Sequence, residues 1–306
     1  MTNSGAWAQE DGPAPPELFD VAVSGGALRV ARWPGAGPAV LAAHGITASH
    51  ACWATVAAHL AGAVTLIAVD HRGRGGSGCV PGPYGMATHA RDLLAVADHL
   101  GLDQVVIAGH SMGGFVAAAT AVSAPERVRG LVLVDGGLPG GTTFPTADVA
   151  PDHHLEQFLG PALQRLRMTY PTREAYRHFW RAHPAFGPYW GPAAEAYVDY
   201  DLGGQPPELR SKASEAAVRA DIHDLFTNTG ASAAAEQVDC PVIFLRATRG
   251  MFDDPPGIYP PDAVATVTTR ASSIEAEDVP DTNHYTILLS ARPAAVVANR
   301  IRALAT

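Results

Sequence analysis

VVIAGHSMGGFVAAA, residues 105–119, joins three patterns in a short space. An apolar β-branched run ends at Gly109, a serine follows at 111 between glycines, and an alanine-rich stretch carries on from there. A continuous apolar run of this length suits a strand buried on both faces, and the alanines suit a helix. The serine therefore sits in a sharp strand-to-helix turn, either as a simple helix cap or as a group that the turn exists to present. Glycines on either side are what such a turn needs, because larger side chains would collide as the chain reverses.

The rest of the chain repeats the strand-and-helix rhythm. Further apolar runs lie at 39–45, 64–70, 104–109, 130–137 and 241–247, with a last strand expected at 272–279. Two strands joined by an SGG turn are expected at 18–23 and 27–33. Helical segments are expected at 50–61, 87–100, 111–124 and 285–305; in the second, Leu93, Leu94, Ala97 and Leu100 form an apolar stripe. Alternation of this kind predicts an α/β fold, a doubly wound and mostly parallel sheet whose strand ends carry the active loops. Residues 1–17 read as a flexible tail, 18–139 and 239–306 as the core, and 140–238 as a helical cap inserted into it.

Composition removes several function classes. The chain has 306 residues, a formal net charge of −9 and a single lysine, Lys212. Neither a nucleic-acid nor an anionic-membrane partner is expected, since both need clustered cations. Cys52, Cys79 and Cys240 have no metal-ligand spacing and read as free thiols in a reducing compartment. With no signal-peptide pattern and no apolar stretch of spanning length, a cytoplasmic protein is expected. A small-molecule partner, no cofactor, no metal, and a monomer or homodimer complete the expectation. GRGGSG at 73–78 is a literal dinucleotide fingerprint, but CVPGPYG follows it where a helix would have to begin.

Gly109-His110-Ser111-Met112-Gly113 fits G-x-S-x-G, with Gly114 adding a third small residue. The Met112 N–H, at a helix N-terminus, would point at a developing oxyanion, and HGIT at 44–47 offers the Ile46 N–H as a second donor. A serine hydroxyl needs a base. Among thirteen histidines, His284 in VPDTNHYTILL is the best placed, in a loop between the last strand and the last helix. His110, His44 and His71 occupy turn motifs, and His153, His154, His178 and His183 fall in the insert.

HGIT, DHRGRGGS, GHSMGG, VLVDGG and NHYTILL, in this order, resemble the α/β-hydrolase superfamily over about residues 18–139 and 239–305. The resemblance implies a Ser–His–acid hydrolase and the chain order Ser, acid, His. Much of the family carries the acid in a G-x-x-D pattern after the strand at 241–247, where this chain has Gly250 and then Asp253 and Asp254. A minority carries it directly after the preceding strand, where this chain has Asp135. The reading favours Asp135, with Asp253 and Asp254 as the alternatives. It also implies hydrolysis of an ester or lactone through an acyl-enzyme. C–C bond hydrolysis, cofactor-free haloperoxidase or lyase chemistry, and a ligand receptor on the same scaffold are the alternatives. A serine at 111 argues against the relatives that use an aspartate nucleophile. The aromatic insert (Phe179, Trp180, Phe186, Tyr189, Trp190, Tyr197, Tyr200) suggests a bulky apolar substrate, with Trp180, Tyr189 and Trp190 as candidate pocket residues.

Overall fold

The structure is a computed structural model that describes residues 15–141 and 159–306. Most of the expected tail, together with His153 and His154, lies outside the described residues. Eight strands form one sheet: β1 (Glu17–Val23), β2 (Gly26–Trp33), β3 (Ala39–Ala43), β4 (Thr65–Val69), β5 (Val105–His110), β6 (Val128–Val134), β9 (Val242–Ala247) and β10 (Ile274–Val279). Their order is β1-β2-β4-β3-β5-β6-β9-β10. β1, β2 and β4 pair antiparallel, and every pair from β4–β3 onward is parallel.

The apolar runs become strands because both faces of the sheet are covered. Ile107, Leu131 and Phe244 pack with helices α2 (Met86–His99), α3 (Met112–Ser123) and α9 (Pro261–Arg270) in one core. Their neighbours Val106, Val132 and Leu245 pack with α1 (Ala54–Leu60) and α11 (Ala291–Ala305) in the other. Alternate residues of one strand thus enter opposite cores, which is why no polar alternation shows in the sequence.

Two local expectations change. The helix expected at 50–61 starts with a 3₁₀ turn at His50–Trp53 before α1. The helix expected at 285–305 is two, α10 (Thr286–Leu289) and α11, broken at Ser290. Pro293 lacks an N–H and its ring would meet the Leu289 carbonyl in a continuous helix, so the chain restarts there.

Between β6 and β9 the described chain adds α4 (Pro161–Gln164), α5 (Arg173–Arg181), α6 (Pro192–Asp201), α7 (Glu215–Thr227) and α8 (Thr229–Ser232). It also adds a two-residue antiparallel pair, β7 (Leu202–Gly203) with β8 (Arg210–Ser211), too short to leave a sequence pattern. β6 pairs directly with β9, so this segment leaves and rejoins the sheet between adjacent strands. Asp221 and Asp224 of α7 accept the Gly85 and Met86 N–H groups at 2.6 and 2.8 Å. Helix α2 starts at Gly85, which has no side chain to cap it; the insert supplies its acceptors instead.

Candidate active site

Ser111 ends β5 and opens α3 with φ 56 and ψ −123, and its side chain makes no capping hydrogen bond. For a residue with a Cβ this is a strained conformation, held because the surroundings admit no other. A Cβ on Gly113 would collide with the Ala43 carbonyl, and one on Gly136 with the Ser111 backbone. β3, the serine turn and the loop after β6 therefore meet backbone to backbone.

Asp135 and His284 arrive from two other strand ends. Asp135 follows β6 with φ 47, its N–H donating to the Leu245 carbonyl at 2.8 Å. One carboxylate oxygen accepts the Ala247 N–H at 3.1 Å and the other accepts His284 Nδ1–H at 2.7 Å. Both residues are buried. With Nδ1 donating, His284 keeps the lone pair of Nε2, and its ring lines the same cleft as Ser111. Ser111, His284 and Asp135, drawn from widely separated segments, are brought together at one sheet edge.

The two alternative acids sit off this line. Asp253 accepts hydrogen bonds from Asn283 Nδ2 at 3.0 Å and from the Tyr189 hydroxyl at 3.1 Å, bracing the loop before His284 rather than its ring. Asp254 is exposed. The expected pocket aromatics also lie elsewhere. Trp180 is buried against Phe186, Tyr285 and the Arg165 guanidinium. Trp190 stacks under Arg181, and Tyr189 is 38% exposed on the outer surface. Their size is used to pack the insert onto itself and onto the α10 loop; of the insert aromatics named from sequence, Tyr197 lines the cleft.

The loop after β3 is pinned from behind. Arg74 Nε donates to the Ile46 carbonyl at 2.9 Å, and Arg165, from the insert, donates to the Thr47 carbonyl at 2.6 Å. With those carbonyls held away, the Ile46 N–H has no hydrogen-bond partner among the described residues. Gly45 sits against the nucleophile turn, where a Cβ would lie 3.1 Å from Ser111 Cβ. Ile46 and Met112, the first residue of α3, line one recess together with Ser111.

Sequence reasoning gave His110, Arg74 and Arg165 no role. His110 Nε2–H donates to the His284 carbonyl at 2.8 Å, fixing the backbone of the base. Burial and the neighbouring His284 push its imidazole well below the ordinary histidine range, so it stays neutral. Arg165 is buried, and although burial opposes its charge, Asp201 raises its pKa above the ordinary arginine value. These contacts bridge residues far apart in the chain, so no local spacing announces them.

The GRGGSG segment is a structural turn. Asp70, three residues before it, accepts the His50 N–H at 2.7 Å, the Gly76 N–H at 2.7 Å and the Tyr200 hydroxyl at 2.6 Å. Burial would raise this carboxyl, but the hydrogen bond and charge of His50 outweigh it and hold it at about 2. Gly75 has φ 50 and lies against that carboxylate, which leaves no room for a Cβ.

Comparison with known proteins agrees with this architecture. The family model of the alpha/beta hydrolase fold matches residues 38–201, more than half of the chain. The chain belongs to the α/β-hydrolase fold family. It is 42% identical over 127 residues to the uncharacterized protein Rv2715 of Mycobacterium tuberculosis, covering 40% of this chain and 36% of that one. It is 37% identical over 102 residues to a putative carbamate hydrolase RutD of Azorhizobium caulinodans, covering 33% and 38%. The aligned part thus spans about two fifths of the length of these curated relatives. Among solved structures, E-2-(acetamidomethylene)succinate hydrolase superposes with a TM-score of 0.74 at 21% identity, covering 93% of this chain and 99% of that one. No helix among the described residues is long and apolar enough to cross a membrane.

Proposed function

We propose that the protein is a serine hydrolase that cleaves a carboxylic ester or lactone of an apolar small molecule through an acyl-enzyme. One observation carries the reading. Ser111 is held at positive φ with its hydroxyl uninvolved in capping, in the cleft that also holds the ring of His284, itself oriented by Asp135 at 2.7 Å. A helix cap needs none of this strain, whereas a presented nucleophile does.

In this mechanism Ser111 Oγ attacks the carbonyl carbon and its proton passes to His284 Nε2. The Ile46 and Met112 N–H groups hold the tetrahedral oxyanion. Collapse breaks the C–O bond, and the departing alkoxide takes the proton back from His284. Water then repeats the sequence on the acyl-enzyme, releasing the carboxylic acid and free Ser111. Asp135 fixes the imidazole tautomer and stabilises the imidazolium between the two transfers. The likeness to the putative carbamate hydrolase of Azorhizobium makes a carbamate the natural third carbonyl class to assay beside esters and lactones.

The test is direct. Ser111→Ala is expected to lower kcat on short p-nitrophenyl esters by about 10⁴-fold or more. A fluorophosphonate is expected to give a stoichiometric adduct on Ser111 of the parent, read by mass. Parent-like turnover by the variant would refute the nucleophile, and no adduct on the parent would favour a binding protein.

A further inference from the structure

Ser111 stands at the junction of two apolar recesses. The first is walled by Ala48, Cys52, Tyr197, Met251, Leu288 and Leu289. The second is walled by Phe115, Ile222, Leu225, Phe226, Ile258 and Tyr259. Ile46 and Ser111 line both. The remaining reactive groups are divided: His284 faces the first recess only, Asp135 and Met112 the second only.

That division assigns the ends of the substrate. The leaving oxygen must accept its proton from His284, so the alcohol lies on the His284 side. The acyl chain then runs the other way from the same carbonyl, past Met112 into the second recess. There Ile222, Leu225 and Phe226 present one face of α7 at i, i+3 and i+4 spacing. This wall is anchored: Arg74 pairs with Asp221 of α7 at 2.5 Å while holding the Ile46 carbonyl, so one guanidinium sets the acyl wall against the oxyanion loop.

Polarity narrows the class further. Apart from the proposed Asp135 and the two histidines, no Asp, Glu, Lys or Arg lines either recess among the described residues. Burial raises the Cys52 thiol and the Tyr197, Tyr259 and Tyr285 phenols so that they stay neutral. A carboxylate or phosphate on either arm would lose its water and gain no cation. We infer that the substrate is a neutral, open-chain ester with two apolar arms, the alcohol beside Tyr197 and Leu289 and the acyl group against α7. A small lactone, whose two arms close on each other, could not run into both recesses at once.

This assignment rests on Ser111 as nucleophile, and the experiment separates the two. Two substrate pairs are compared on each enzyme sample: p-nitrophenyl hexanoate against acetate, and hexyl against ethyl acetate. Each ratio of kcat/KM values is independent of the folded fraction. In Leu225→Trp the hexanoate/acetate ratio is expected to fall about tenfold or more, with the hexyl/ethyl ratio moving less than about twofold. Leu289→Trp is expected to do the reverse. Leu225→Ala, which opens the same wall, is expected to shift the preferred acyl chain longer, and it serves if the tryptophan variant does not fold. An ω-carboxylate analogue of the hexanoate is expected to react at least about tenfold more slowly than the neutral ester. If Leu225→Trp moved the alcohol ratio instead, the arms would be reversed. If both ratios moved together, the two-recess assignment would fail with the esterase intact. Absence of Ser111-dependent hydrolysis and of a Ser111 fluorophosphonate adduct in the parent would remove the assignment and the reading beneath it together.

Discussion

Asp135 carries two jobs on one carboxylate. Through one oxygen it accepts the Ala247 N–H, which ties it to β9, and through the other it accepts the His284 proton. Replacement by asparagine changes the second job more than the first, since an amide can donate toward Nδ1 and so favour the wrong imidazole tautomer. Asp135→Asn is expected to lower kcat on p-nitrophenyl acetate by about 10⁴-fold with the fold retained. Asp253→Asn weakens the brace from Tyr189 and Asn283 and the 3.5 Å pair with Arg249, and is expected to cost less than about tenfold. Steady-state kinetics on both variants checks this; near-parent turnover in Asp135→Asn with a collapse in Asp253→Asn would reverse the assignment. The positive φ of Asp135 fits the same picture. The backbone turns sharply after β6 so that the carboxylate faces back toward β9 and the histidine loop.

At the scale of elements, the proposed oxyanion loop owes its position to side chains that arrive from elsewhere. Arg74 joins three parts: the Ile46 carbonyl, the Arg72 carbonyl at 3.1 Å and Asp221 of α7. A lysine keeps the charge facing Asp221 but lacks the fork to reach the carbonyls as well. Losing a whole oxyanion donor costs about 10²–10³ in turnover, and a misaimed one costs less. Arg74→Lys is therefore expected to lower kcat by about 10–100-fold for every ester alike, with KM changed less than about threefold. A rise in KM at constant kcat would mean that Arg74 only shapes the pocket. The same contrast shows what the sequence could tell. β3, β5, β6 and β9 were legible because burial on both faces leaves unbroken apolar runs, and the serine turn because its glycines are sterically forced. The split of the last helix was also open to reading, from Pro293. The roles of Arg74, Arg165 and His110 were not, because each depends on partners 28 to 174 positions away. The pocket aromatics misled for a related reason. Bulk signals burial, and in Trp180 the burial is against the insert's own Phe186 and Arg165 rather than in the cleft.

For the whole molecule, the neutral histidines set the response to acid. His44, His71 and His110 are all buried in the layer beneath the proposed active loops. His44 is fixed as a neutral tautomer, Nδ1–H donating to the Gly45 carbonyl at 2.7 Å and Nε2 accepting the His71 N–H at 3.0 Å. Burial drives its imidazole down to about 3, against the pull of Asp70. Burial, then the neighbouring His44, His89 and Arg74, drive His71 well below its ordinary value, and neither of its ring nitrogens has a partner. In the unfolded chain each would titrate near 6.5. Folded pKa values below the unfolded one mean that the unfolded state binds more protons as pH falls, so the stabilisation is complete above about pH 6.5 and is lost progressively below it. Each such histidine removes about 1.4 kcal/mol per pH unit, so these three remove about 4 kcal/mol per unit until the first folded pKa is reached, and His183, driven by burial to about 4, adds to the slope. Asp70 and Asp221, both held at about 2, add to the loss only below about pH 4. Against a typical stability of about 5–15 kcal/mol this is a large share, so the urea midpoint is expected to fall steeply between about pH 6.5 and 4. Urea midpoints measured from pH 7.5 to 4 check the slope, and a flat profile across that range would refute it. His71→Leu supplies the internal control: it removes two unpaired ring nitrogens while leaving the backbone N–H on His44, and it is expected to lower the slope by about one proton's worth.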